Sequence, residues 1–275
     1  VTVTVTPVPS SVQITTPPDS LLSKGATLQL TAVVRNASNA VIAGAPVTWS
    51  SSNTAAATVS GTGLVTATAD GIAAVSALIT ATAAPGVTTQ YSITARQKLA
   101  SLLVAPSTAN LTTRGSVQLT ATPRDARANA IPGLAGGITY ASNNTTSATV
   151  NSTSGLVTGS GSVGGTATIT ASLTADGTTA TGTSAITLVP AVVNTSGTSF
   201  VPSTPVDIAV GGTVTFNLSS LAHSVIFDAA VAGRPADVPQ CTDCSADRAF
   251  STAGTFPFIC GVHGASMSGT IRVTP

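Results

Sequence analysis

The chain has 275 residues, long enough for two or three domains, and a net charge of +1 with only 7% charged residues. So sparse a charge gives neither the basic stripe that neutralises nucleic-acid phosphates nor a polybasic patch for anionic lipid. The most apolar stretch, GIAAVSALITATAAPGV (71–87), is broken by Ser and Thr, contains Pro and is short for a bilayer span. Strands and a turn are expected there, with no direct membrane span.

The chain starts at Val1 with no initiator Met. This reads as the mature form of an exported protein whose signal has been removed, placing it in the periplasm or outside the cell. Any membrane anchor is then removed, a covalent lipid or a partner's. The opening VTVTVTPVPSS is a threonine-rich segment of the kind that frays unless something orders it.

Two internal copies follow. GATLQLTAVVRN (25–36) matches GSVQLTATPRD (115–125), VTWSSSNTAAATV (47–59) matches ITYASNNTTSATV (138–150), and GLVTAT (63–68) matches GLVTGS (155–160). The offset of about 90 residues defines one repeated module. Short Thr/Val/Ala/Ile runs alternate with Gly, Asn, Pro and Asp, and QLTAVV and TATITASL show a period of two. Each copy therefore reads as a β-sandwich of about seven strands. Trp49 and Tyr140 fall at equivalent positions and are expected to plug the two cores.

These segments resemble bacterial immunoglobulin-like domains of group 2. The resemblance implies extracellular spacer or adhesion modules and no catalytic residues.

Composition changes near residue 190. All six phenylalanines, both histidines, all three cysteines and the single methionine lie beyond it. The expected domains are 1–97, 98–190 and 191–275. The last reads as strands VDIAVGGTVTFNL, HSVIFD, GTFPFIC and SGTIRVTP, again with sandwich alternation. The expected fold is all-β throughout.

Three cysteines in an exported chain leave one thiol with a separate task. In an oxidising compartment Cys241 and Cys244, in CTDC, are expected to pair as a disulfide; a redox-active or metal-accepting pair is the alternative. Cys260 remains. His223 begins one strand, Cys260 ends another, and His263 and Met267 are expected in the loop after it. If those two strands are neighbours, the four side chains converge. A thiolate, two imidazoles and a distant thioether match the donor set of an electron-transfer copper site, whereas this is a poor set for zinc. The bland alternatives are a buried free Cys, a satisfied surface His and a Met filling the core.

HSVIFD together with STAGTFPFICGVHGASMSGTIRV resembles the plastocyanin/azurin family of cupredoxins, and SFVPSTPVDIAVGGTVTF resembles that family's opening hairpin. The resemblance covers nearly all of 195–275 and implies a Greek-key sandwich holding one type 1 (blue) copper. His223, Cys260 and His263 would be equatorial ligands and Met267 the axial one. His263 would be the electron exit, with Gly261, Val262, Gly264 and Ala265 as the docking rim. The implied partner is a redox protein such as a c-type cytochrome or a membrane electron-transfer complex.

The chain departs from the family pattern in places. Ser224 stands where many members carry Asn, so the hydrogen bond tying the two ligand loops together is an open question. FNLSSLA replaces a common Trp-x-Asn segment, the ligand loop is short, and GRPADVPQCTDCSAD (233–247) is an insert that CTDC could staple.

The expected function is electron transfer without catalysis. Only two histidines exist, too few for a second copper centre, and no phosphate-cradling glycine loop opens a helix. The alternatives are an accessory subunit of a membrane electron-transfer assembly, such as a photosynthetic reaction centre or respiratory complex, in which the copper fold mainly scaffolds, and a surface protein whose repeats project the copper module.

Overall fold

The computed structural model describes residues 7–15, 20–160 and 163–275, and among them no helix occurs. The first six residues, and with them most of the threonine-rich opening, lie outside the described residues. The chain forms two compact units. The first is built from described residues of Val1–Leu103 with Thr122–Ile138 and Leu173–Thr181; the second takes Val104–Ala121, Thr139–Ser172 and Gly182–Pro275.

In the first unit a four-stranded sheet runs in the order Ser20–Leu21, Val87–Ala95, Val75–Ala83, Val47–Ser51. A three-stranded sheet orders Thr27–Gln29, Leu64–Ala67, Ala57–Val59, and Ser11–Thr15 pairs with Thr31–Arg35. The apolar stretch 71–87 is, as expected, strand and turn. The same three-sheet pattern recurs in the second repeat, where Thr108–Leu111, Thr178–Leu188, Thr166–Ala175 and Thr139–Ser142 form the four-stranded sheet. The period of two explains the packing: along Thr166–Ala175, Ala167, Ile169, Ala171 and Leu173 are buried while their neighbours are not.

The Gly-Leu-Val-Thr segments have a steric cause. Gly63 has φ +84°, and a Cβ there would lie 2.6 Å from the Leu30 carbonyl oxygen and 3.0 Å from the Trp49 ring. Gly155 has φ +73°, and a Cβ there would lie 2.8 Å from the Tyr140 ring. Each aromatic thus needs a glycine beneath it and a small residue beside it; Trp49 is paired with Ala81 and Tyr140 with Ala171. Tyr140 is buried, whereas Trp49 is only half-buried against its cluster.

Also within the first unit, the buried Asp125 carboxylate accepts hydrogen bonds from Gln97 Nε2 (3.0 Å), the Lys24 N–H (3.0 Å) and the N–H groups of Arg127 and Asn129 (2.9 and 3.0 Å). Burial raises its pKa, but the bonds from Gln97, Asn129 and Arg127 outweigh that, and the net shift is below 3.8.

Residues 191–275, all in the second unit, form nine strands: β1 (Ala191–Ser196), β2 (Ser199–Val201), β3 (Val206–Ala209), β4 (Thr213–Leu218), β5 (His223–Phe227), β6 (Val238–Cys241), β7 (Cys244–Ala249), β8 (Gly254–Cys260) and β9 (Gly264–Thr274). One sheet has the order β2-β1-β4-β7 and the other β3-β9-β8-β5-β6. Between them lie the six phenylalanines. Their rings meet edge-on at centroid distances from 4.9 Å (Phe200–Phe258) to 6.0 Å (Phe216–Phe227), within the favourable range for aromatic pairs. The insert at 233–247 is not a loop: it supplies β6 to one sheet and the start of β7 to the other.

Two expectations follow. Gly63→Ala should destabilise the first repeat by about 1–3 kcal/mol, because a non-glycine residue is strained at that φ. Urea unfolding followed by the fluorescence of Trp49, the single tryptophan, reads this, and Gly61→Ala, where a Cβ meets nothing within 4 Å, serves as the neutral control. The depressed Asp125 pKa contributes stability that is full above the unfolded carboxyl value and is lost as pH falls through the lower folded value. The thermal midpoint should therefore drop on acidification below about pH 5, and this drop should shrink in Asp125→Asn.

Candidate metal centre

β5 and β8 are antiparallel neighbours, with Ile226 opposite Ile259 and Phe227 opposite Phe258. On β8, Phe256, Phe258 and Cys260 face the core; on β5, His223, Val225 and Phe227 do so. The alternation that buries the phenylalanines therefore buries His223 and Cys260, both 0% exposed, at one end of the same core. Residues 261–263 then turn the chain into β9, with Cys260 paired to Gly264. That tight turn returns His263 towards the sulfur.

The Cys260 Sγ lies 3.4 Å from His263 Nδ1 and 3.7 Å from His223 Nδ1. The two imidazole centroids are 4.9 Å apart, and the three donor atoms all lie within 4.8 Å of one another. Donors sharing one ion at roughly 2.3 Å for sulfur and 2.0 Å for nitrogen, at near-tetrahedral angles, sit roughly 3.5 Å apart. The spacing fits. Sulfur–nitrogen hydrogen bonds have similar lengths, so the choice of metal rests on donor chemistry.

One further feature favours ligation. The ring nitrogen facing the centre is Nδ1; Nε2 is buried without a hydrogen-bond partner among the described residues and carries the proton when Nδ1 keeps its lone pair. Burial, and next the charge of His263, lower the His223 pKa below its ordinary 6.5. Both effects favour the neutral ring, the form that can bind metal.

Met267 departs from its expected place. It lies within β9 rather than in the loop: Gly264 pairs with Cys260, and a register shift then leaves Ala265, Ser266 and Met267 without partners before regular pairing starts at Ser268 with Ile259. Its side chain points inward, 1% exposed, in the apolar cluster that contains Cys260. Of the expected docking rim, Gly261, Val262 and Ala265 are exposed, while His263 and Gly264 are half-buried. Gly261 also has a packing role: a Cβ there would meet Ile226 Cδ1 at 2.5 Å and Ser224 Oγ at 2.8 Å.

The open question at Ser224 is resolved. The Gly261 N–H donates to Ser224 Oγ at 2.9 Å, so a hydroxyl ties the two donor-bearing strands. Cys241 and Cys244 form a disulfide with a Cα–Cα distance of 6.2 Å. It sits where the chain passes from β6 in one sheet to β7 in the other. Thr195 and Asp243, which sequence reasoning did not single out, hold the loop before His223. The Ser219 N–H donates to Thr195 Oγ1 (2.8 Å) and the Ser220 N–H to Asp243 Oδ1 (2.8 Å). No local pattern marks either contact.

Residues 10–91 match the family model for the bacterial Ig-like domain (group 2), which places the first repeat in that class. No curated protein matches the chain. Among solved structures it is similar to domains 1–6 of the surface-layer protein SbsC, with 19% identity, 98% of this chain and 40% of that one covered, and a TM-score of 0.34. Human protocadherin-24 EC1-2 is similar at 14% identity over 66% of this chain and 99% of that one, TM-score 0.30. An intimin fragment in complex with the intimin-binding domain of its translocated receptor follows at 18% identity over 64% and 63%, TM-score 0.29. The chain thus spans about 40% of the length of the first surface-layer structures it matches. No helix among the described residues is long and apolar enough to cross a membrane.

Ser224→Ala should leave the Gly261 N–H unpaired and cost the C-terminal module about 1–3 kcal/mol. Alkylation of Cys260, the free cysteine, should accelerate accordingly. Labelling at the parent rate would show that the hydroxyl ties nothing.

Proposed function

We propose that residues 191–275 hold one copper ion and pass single electrons outside the cytoplasm, carried on two Ig-like spacer modules. The supporting observation is the convergence of both histidines of the chain and its free cysteine on one centre. Copper, when bound, supplies a one-electron couple between +1 and +2.

The residues of the chain set the conditions. Cys260 contributes a soft thiolate, and its burial keeps water from the sulfur. His223 and His263 offer Nδ1 atoms that suit both oxidation states. Met267 brings a weak thioether from inside the core. The Phe-lined sandwich and the Ser224–Gly261 bond hold these donors still, so little rearrangement accompanies electron transfer. A set of two His, one Cys and one Met serves zinc poorly.

His263, half-exposed at the tip, is the route for electrons. Around it Gly261, Val262 and Ala265 form an uncharged rim suited to a redox protein such as a c-type cytochrome. With 7% charged residues overall, contact should depend on shape and apolar area, with weak dependence on salt. The Ig-like repeats serve as spacers, and the protein acts as a carrier rather than an enzyme.

Copper-loaded protein should contain one ion per chain and show an intense visible absorption from thiolate-to-copper charge transfer. Cys260→Ser should abolish the band. Met267→Leu should keep it and raise the reduction potential, since loss of a weak fourth donor favours Cu(I). A loaded parent chain without the band would end the copper reading.

A further inference from the structure

The CTDC turn lies against the loop that delivers His223. Cys241, the last residue of β6, is the register partner of His223, the first residue of β5. Cys244, the first residue of β7, is the register partner of Leu218, the last residue of β4. The disulfide therefore joins the two strands that flank the two ends of loop 219–222. Strand β4, the loop and β5 form one side of a frame, and β6, the turn and β7 form the other.

The two apices of that frame also touch. Ser220, with φ 65°, donates its N–H to Oδ1 of Asp243, with φ 51°. Both are non-glycine residues in the left-handed region, a conformation that surrounding contacts must maintain. Asp tolerates it better than Ser does. The β5–β6 pairing shifts register between His223 and Val225, so the ladder alone does not fix the first residue of β5. Something else has to hold the imidazole against Cys260, and the frame stands at that point.

We propose that the Cys241–Cys244 disulfide and Asp243 are positioning residues for His223, holding its Nδ1 on the shared centre with Cys260 and His263. The disulfide belongs to the site, and the insert it closes is the brace of a ligand loop. The metal-dependent half of this proposal rests on the copper reading; the placement of His223 against Cys260 does not.

The test uses the full chain as parent, Asp243→Ala, Asp243→Asn, and the double variant Cys241→Ser/Cys244→Ser. Val273→Ala, which trims the same core at the opposite end of β9, controls for general loss of stability. Two quantities are read. One is the rate of Cys260 alkylation by iodoacetamide without metal; the other is Cu(I) affinity by competition with a chelator. The double variant and Asp243→Ala should label several-fold faster and bind Cu(I) about 10–100-fold more weakly, the usual cost of losing a group that orients a ligand. Asp243→Asn keeps an acceptor oxygen and should stay near the parent in both. Val273→Ala should lower the unfolding midpoint while leaving labelling and affinity near the parent values.

If Val273→Ala shifts both readouts as far as the turn variants do, positioning is refuted and general stability explains the effect. Turn variants that label at the parent rate also overturn the proposal, whatever copper does. A parent that takes up no copper while only the turn variants label faster removes the copper reading and leaves the brace on His223 supported.

Discussion

The pairing of β5 with β8 is the constraint on which the centre depends. His223 and Cys260 are separated by 37 positions in sequence, yet the register Ile226–Ile259 and Phe227–Phe258 places both at the same end of one core. Because side chains alternate with a period of two, sliding either strand by one residue would send its phenylalanines and its donor to the outer face together. The aromatic core thus enforces the register, and the register assembles the donors. Edge-to-face contacts among Phe216, Phe227, Phe250, Phe256 and Phe258 make any slip expensive.

Placing an imidazole at the end of an apolar core has a cost, and the local structure responds to it. Burial and His263 both disfavour the charged form of His223, and its Nε2 has no partner among the described residues. Three ties surround it: Ser224 to Gly261 on one side, Thr195 to Ser219 and Asp243 to Ser220 on the other. The cysteine is held more simply, by the strand it ends and the tight turn after it. The asymmetry is reasonable. Cys260 and His263 lie on one hairpin and need little help, whereas His223 arrives from elsewhere in the sheet.

The two N-terminal repeats solve a different problem with little charge and few aromatics. The first core is filled by Ala, Val, Ile and Leu with Trp49 and Tyr91 packed against it, and Trp49 lies over the left-handed Gly63 as Tyr140 of the second repeat lies over Gly155. Thr covers the outer faces.

Much of this was legible locally. The repeats, their strands, the all-β class and the change of core chemistry near residue 190 follow from motifs and from periodicity within a few residues. So did the candidate donors His223, Cys260 and His263, because two histidines and one odd cysteine in 275 residues stand out against Thr and Ala. Met267 is expected in the loop after Cys260 and lies instead in β9, which runs from Gly264, at a register shift that leaves Ala265, Ser266 and Met267 without partners on β8. Ser224 in place of the resembled family's Asn left the tie between the two loops open, and the structure closes it: the Gly261 N–H donates to the Ser224 hydroxyl at 2.9 Å, where a Cβ on residue 261 would clash with Ser224 and Ile226. By itself the sequence determined which residues alternate inward and which chemical groups are on offer. Only the tertiary structure decided which strands are neighbours and therefore which groups meet, because pairing partners such as Cys241 and His223 are chosen by the packing of whole sheets, and no local pattern records that choice.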